Sequence, residues 1–585
     1  MKKLYFLLAV LLVGSIGHSQ IVSIPDTVFK AKLVAASPSN TTAMDLSGNY
    51  FKIDANNDGE IQLSEALQVK ELNLLLSGNI ASLEGINSFA NITKLQHSYA
   101  WGSYLTVVDL TGLNQLTYLE IRCSNLNLGQ KNNLETLLLW IYAIPLTYSS
   151  QTATLKNFRG HINTFLSINY TKRVSLQDIK LYGFNSGQSV LQYTELKYMT
   201  NLVSLDLGIT TTANGDGIQL AFQNYNPLDN PLYPQNIKNL VIPVLFAGMP
   251  LQNFHNLESL KFKSTGSYAD GFECNCPSQA FNLTDFPFLK KLVFWRYFNP
   301  IQSLDLSLLP NLESFETNDV GSNSTYPGTF TINFGNNLNL NEVIITKIPT
   351  QNFNFSGNPN LKKLELSEGV AAYYTTISDV TINLAPNNLL ESLKIDTPQN
   401  ENGNANFTIT NLETSNNLNS IYLQGCNIVN PFEINSIGLT TFDASNTYFN
   451  AISLGYVPSL NFFNLSIGDP YIQNAFTTDL SVDLGGATNI ANIDIQYQKL
   501  RYLSIKNGKF DTNLSVYNDN LGLTVCADAI DCLTPYCFSS MSSNRTITNY
   551  CTLTPNGTFN TISGNIRLDS DSNGCSVTDI PFPFL

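Results

Sequence analysis

At 585 residues the chain is long enough for several globular domains, yet 13% of it is charged and 43% hydrophobic, a polar rather than ionic surface over an ordinary amount of core material. Its net charge of −14 and the lack of any Lys/Arg cluster exclude nucleic acid and anionic lipid as expected partners, because both are held by grouped cations.

Residues 1–19 read as a secretory leader: Met1-Lys2-Lys3, an apolar run from Leu4 to Val13, then Gly17-His18-Ser19, with cleavage expected between Ser19 and Gln20. The apolar run is too short for a membrane anchor, and no later stretch is long and apolar enough to span a bilayer. The expectation is an exported protein, secreted or at the cell surface. Pro25-Asp26-Thr27 then opens a short helix expected to run to Ala36, with Val28, Phe29 and Leu33 on one side, lidding the open end of the repeats that begin near Val69.

The sharpest motif runs from Asp54 to Glu65, DANNDGEIQLSE, and matches the twelve-residue EF-hand loop at each diagnostic position. Asp54, Asn56 and Asp58 offer side-chain oxygens, Glu60 its carbonyl, Gln62 a water-mediated contact and Glu65 a bidentate carboxylate, while Gly59 permits the sharp turn. Calcium is the expected cofactor, and an acidic, Asn-rich turn without an ion is the competing reading. The flanks leave room for only a turn of helix and no paired second hand. The ion is therefore expected to brace an N-terminal cap, residues 20–68, with an affinity of roughly 0.1–1 mM.

From Val69 onward a phrase recurs: a polar residue, then apolar-x-x-apolar-x-apolar. Asn360-Leu361-Lys362-Lys363-Leu364-Glu365-Leu366 is its clearest form, and further copies begin at Gln115, Asn133, Asn201, Asn256, Phe288, Asn311, Asn417 and Ser459. A second short alternating piece precedes many copies, as in Leu304-Asp305-Leu306 and Phe353-Asn354-Phe355. Alternation gives each strand one apolar face that no single copy can bury, and stacking the copies buries all of them. A solenoid with a parallel sheet is therefore expected over residues 69–526. Ile80, Leu83, Ile86, Phe89 and Ile92, at steps of three, suit a 3₁₀-like return segment. Polar insertions are expected at 208–237, 264–285, 319–330 and 396–406.

The L-x-x-L-x-L phrase resembles leucine-rich repeats, and SLDLSLLPNLESF and FNFSGNPNLKKLEL resemble the irregular repeats of secreted Bacteroidetes surface proteins. The resemblance implies a parallel sheet on one side, irregular or 3₁₀ segments on the other, and a binding role. Near the C-terminus, Ile562 to Leu568 followed by Asp569, Asp571, Asn573 and Asp579 resembles the opening of a calcium-loop, Cna-B-like β-sandwich module. That implies a second metal loop in a module, residues 559–585, that is truncated; a plain Asp/Asn-rich loop is the alternative.

Trp140 and Trp295 each directly follow the last inward residue of a strand, so alternation points them outward. With Tyr142 and Tyr297 nearby they are candidate ligand contacts, as a platform for sugar rings or an anchor for a protein, unless an adjoining loop covers them. Cys123 and Cys426 read as isolated core residues. Cys526, Cys532, Cys537 and Cys551 cluster at the end of the array, where an exported chain favours a disulfide-stapled cap, residues 527–558, over a zinc knot.

Three functions remain: a binding or adhesion module for a protein or glycan, a polysaccharide-degrading enzyme on a parallel β-helix, and an inert spacer. Beyond the leader the histidines are His97, His161 and His255, far apart in sequence, with no G-x-S-x-G or H-E-x-x-H arrangement. A non-enzymatic binding module is the leading expectation.

Overall fold

The computed structural model describes residues 20–75, 78–97, 105–140, 154–168, 173–182, 199–209, 236–242, 254–263, 282–295, 303–318, 331–346, 352–367, 379–386, 388–397, 405–467, 480–496, 499–509, 514–517, 522–528 and 545–549, with short fragments elsewhere. The chain divides into two compact units, Met1–Leu361 with Glu365–Thr376, and Lys362–Leu364 with Ile377–Leu585.

In the first unit, strands Val69–Asn73, Lys94–His97, Tyr118–Ile121, Thr136–Leu139, Asn157–His161 and Asp178–Tyr182 pair in chain order, every one parallel to the last. Ser204–Ile209, Asn239–Ile242, Ser259–Lys263, Lys291–Trp295, Ser314–Asn318 and Glu342–Thr346 continue the ladder in the same sense. Parallel neighbours cannot be joined by a tight hairpin, so each step needs a return segment. The first such segment is built as its three-residue apolar spacing predicts. Ile86 N–H donates to Leu83, Phe89 to Ile86 and Ile92 to Phe89, each at 3.0 Å, and all five apolar residues from Ile80 to Ile92 are buried. A single antiparallel strand, Ala43–Asp45, covers the edge of Val69–Asn73.

The second unit repeats the design. Ser392–Asp396, Ser420–Gln424, Thr441–Asp443, Phe462–Asn464, Asn492–Gln496 and Leu514–Tyr517 form its parallel ladder. Further parallel strands, Asp379–Leu384, Ala405–Thr410, Cys426–Ile434 and Tyr448–Leu454, carry the second apolar piece of each copy. Leu480–Asp483, Leu500–Ser504, Leu523–Cys526 and Arg545–Thr548 form another such ladder.

The burial patterns explain why these residues make this fold. Leu119, Ile121, Leu205, Leu207, Leu364, Leu366, Ile421 and Leu423 are fully buried, whereas Glu120, Asp206, Glu365 and Tyr422 between them are part-exposed. Each buried apolar side chain contributes about 1.5–3 kcal/mol, so every copy gains only by stacking on the next. Aromatic rings run along the cores. In the first unit Phe262 stacks on Phe294 at 5.0 Å, and Phe315, Phe334 and Phe355 follow. In the second, Phe442 meets Phe432, Phe449 and Phe463. Cys123 and Cys426 are buried, unpaired thiols within these cores.

The polar residue that opens the phrase bonds one coil to the one before. The amides of Asn91, Asn201, Asn311, Asn339 and Asn360 donate to the carbonyls of Leu67, Val174, Pro287, Pro310 and Leu338 at 2.7–2.9 Å. Thr93, Thr117, Thr154 and Ser175 do the same with hydroxyls, to Lys70, Thr93, Leu134 and Leu155. Turn carbonyls of one coil are thereby satisfied by the next, most of the Asn bonds lying at the exposed rim. Parallel ladders with inward Leu/Ile/Phe rows and side-chain-bonded turns make each unit a leucine-rich-repeat solenoid.

The N-terminal helix is shorter than expected, Thr27–Val34. Asp26 sits before it rather than within it, its carboxylate accepting the N–H groups of Val28 and Phe29, so Pro25 lies outside the helix. Phe29 and Leu33 are buried as expected, but Val28 faces solvent.

Candidate functional site

Among the described residues, two places bring chemistry-bearing side chains together. The first is the cap loop. Ile53 and Ile61 are buried on either side of it, and Val22 N–H donates to Ile61 O while Leu63 N–H donates to Gln20 O, both at 2.8 Å. The N-terminal segment thus takes the strand pairing that a second hand would otherwise supply. Gly59 turns the loop at φ +77°, and Asn57 also has a positive φ, +62°. Asp54 is buried, with Oδ1 and Oδ2 accepting the N–H groups of Asp58 and Gly59 at 3.2 Å.

Around it, the Asn56 and Gln62 amides both donate to Asp58 Oδ2, at 2.8 and 2.7 Å. The Glu60 N–H on Asp58 Oδ1 leads the contacts that hold the Asp58 carboxyl below its usual range. Two amide groups aimed at one carboxylate oxygen mark a single point; Gln62, turned over, would present its own oxygen there, while Asn56 Oδ1 accepts the Asp58 N–H at 3.1 Å and keeps a second acceptor site. The oxygen set of Asp54, Asn56, Asp58 and Gln62 therefore fits a hard cation. Glu65 is held differently. Its carboxylate accepts Ala55 N–H at 2.8 Å and Gln62 N–H at 3.0 Å, capping the one-turn helix Leu63–Ala66. Each of its oxygens retains a further acceptor site. Among the described residues no three His, Cys, Asp or Glu side chains gather in a metal-binding group, and this loop draws half its donors from amides and a carbonyl. Lys30 pairs with Glu60 at 2.5 Å, joining loop to helix.

The second place is the outer face of the first unit's sheet. Parallel register lines up Gln96, Glu120, Leu138, Arg159, Lys180 and Asp206, one from each successive strand. Glu120 is the hub. Its Oε2 accepts the Gln96 amide at 3.0 Å and the Tyr118 hydroxyl at 3.2 Å, and its Oε1 accepts the Trp140 indole N–H at 3.3 Å. Partial burial and then the Glu120 charge push the Tyr118 hydroxyl up to about 12, so it remains a donor. Arg159 lies over the Trp140 ring, its guanidinium carbon 3.6 Å from the centroid. Further along, Lys261 covers Trp295 at 4.8 Å, and Val293, outward by alternation, is buried. Both tryptophans are half-buried. Burial draws the Lys261 ammonium below its usual range, against the pull of Glu316 and Asp206.

Tyr142, Tyr297, Cys532, Cys537, Cys551, Asp569, Asp571, Asn573 and Asp579 lie outside the described residues, as does the leader. The histidines stay apart. His97 and His161 are buried on separate strands, and His255 is exposed in a turn. Sequence reasoning missed Glu120, Gln96 and Arg159 as one cluster; their common offset within the repeated phrase was the available signal.

No protein-family model matches the chain, and no curated protein matches it. Among solved structures it is similar to the functional domain of InlJ from Listeria monocytogenes, at 15% identity over 71% of this chain and 82% of that one, TM-score 0.36. It is also similar to an internalin, InlF, of the same organism, at 14% identity over 79% and 95%, TM-score 0.31. A leucine-rich-repeat protein of Leptospira interrogans aligns at 13% identity over 66% and 92%, TM-score 0.26.

Proposed function

We propose that this is an exported, non-enzymatic binding module whose outer sheet face in the first unit takes an extracellular protein ligand, and whose N-terminal cap is braced by calcium. The observation that carries the reading is the row of outward residues running strand by strand from Gln96 to Lys261, with Trp140 and Trp295 half-exposed and each fixed by a cation from the preceding or following coil. Such a surface holds large side chains in place before binding, which lowers the ordering cost of association. A glycan ligand is the second form of the same reading, supported by the part-exposed Trp295 indole ring.

In the cap, Asp54, Asn56, Asp58, Gln62 and Glu65, with the Glu60 carbonyl, would hold the ion, which supplies positive charge among three carboxylates. Cys526, buried and disulfide-bonded, supports a stapled C-terminal cap. No helix among the described residues is long and apolar enough to cross a membrane.

Arrays of extracellular proteins and of glycans, run beside a polysaccharide depolymerisation assay, test the proposal. Retention of a ligand without cleavage is expected. Turnover of a polysaccharide would overturn the non-enzymatic reading.

A further inference from the structure

Arg159 is an unusual residue for an outer face. Its Nε is buried and has no hydrogen-bond partner, and among the described residues the guanidinium makes no ion pair. What holds it is the Trp140 ring at 3.6 Å, and that stack uses the π face of the guanidinium, leaving its in-plane N–H fork uncommitted. Directly opposite on the next strand stands Lys180, exposed and likewise outside any ion pair among the described residues. Like charges in register on neighbouring strands repel. The nearest carboxylate on one side, Glu120, already accepts three donors. Asp206 follows Lys180 on the other side.

We propose that Arg159 and Lys180 form a carboxylate-binding subsite, and that the group they take is an Asp or Glu side chain on an acidic peptide segment of the ligand; this rests on the outer face being the binding surface. A planar fork matches a carboxylate bidentately, and the ammonium beside it adds a second donor. The same residues argue against an extended acidic polysaccharide. A polyanion lying along the row would meet Asp206 between the cations and Glu120 and Glu316 on either side of them. Trp140 is also poorly placed to stack on sugar, with one ring face under Arg159 and its N–H on Glu120.

The test selects binders to the full chain from a random dodecapeptide library and compares each with its Asp→Asn, Glu→Gln counterpart. Selected peptides should be acidic, and their amide forms should bind about tenfold to a hundredfold more weakly. Arg159→Gln should cost the same, and Lys180→Gln, at an exposed position that leaves the fold alone, about threefold. The decisive readout is a double-mutant cycle: once Arg159 is Gln, removing the peptide carboxylate should cost little more. Additive losses, neutral binders, no retained peptide, or equal competition by oligogalacturonate would each overturn the subsite. Binding that ignores Arg159 but is lost with Trp295→Ala overturns the subsite alone. Binding indifferent to every outer-face variant overturns the face as well.

Discussion

Asp26 and Ala81 meet at 2.7 Å, the Asp26 Oδ2 accepting the Ala81 N–H across the junction between cap and first repeat. The same oxygen accepts Ser82 N–H at 2.9 Å, while Oδ1 caps the helix through Val28 and Phe29. Burial opposes ionisation of Asp26, but the backbone donors of Phe29, Ala81, Ser82 and Val28 outweigh it and hold the carboxyl below its usual range. One carboxylate thus ends a helix and fastens it to the solenoid.

Asp26→Ala should destabilise the cap by about 2 kcal/mol, combining a lost N-cap with two unpaired N–H groups. The folded pKa is depressed, so the contribution is present above the unfolded value near 4 and is lost as pH falls below it. Amide exchange of residues 80–82 checks this: faster exchange in the variant at neutral pH is expected, and unchanged protection would count against the clamp.

His97 occupies an inward position, in register with Ile121, with its Nδ1 buried and unpartnered. Burial chiefly, with Arg122 adding, draws its pKa down to about 4. The unfolded chain binds that proton more tightly, so stability is full above 6.5 and falls between 6.5 and 4, by roughly 3 kcal/mol in all. His97→Leu, the residue type the row favours, should remove that part of the pH dependence and cost little at neutral pH. An unaltered acid profile in the variant would assign the loss elsewhere.

Asn358 is fully buried in its turn and donates to the Asn337 carbonyl at 3.0 Å, while Asn337 donates to Leu309 at 2.8 Å. Asn358→Ala should cost about 1–3 kcal/mol by orphaning a buried carbonyl, more than Asn360→Ala at the exposed rung beside it. Denaturant melts of the two variants provide the comparison. Equal costs would mean that burial of the rung does not matter.

Calcium at about ten times its dissociation constant should add roughly 1.4 kcal/mol to folding of the cap. The effect should be confined to the cap and first repeats, since coils act mainly on their neighbours. Exchange over residues 24–95, with calcium and with chelator, reads it. Glu65→Gln should weaken the response while keeping one helix-capping oxygen. Equal protection in both conditions, or magnesium acting as well as calcium, would retire the brace.

The repeated phrase made the fold legible because period and burial are the same statement: Leu364 and Leu366 alternate in the sequence and are both buried. The step-of-three return was readable for the same reason. What the sequence hid is what depends on register between coils. Glu120 and Trp140 are 20 residues apart and meet at 3.3 Å only because their strands are neighbours in a fixed register. Neither propensity nor local alternation carries that. The opening Asn was visible as a polar punctuation mark, but its acceptor lies one coil away, at a distance that changes with each loop. Asp26 read as a helix-start residue; its second pair of donors, Ala81 and Ser82, is 55 and 56 residues on.

The central claim is that the outer sheet face of the first unit binds the ligand, and the most direct measurement compares retention of an array-selected ligand by three proteins. These are the native chain, the Trp140→Ala/Trp295→Ala double variant, and Leu338→Ser at an exposed turn position away from that face. The account predicts that the native chain and Leu338→Ser bind alike, while the double variant, with an unchanged melting profile, loses about tenfold or more. Equal binding by all three, or loss with Leu338→Ser alone, would contradict it.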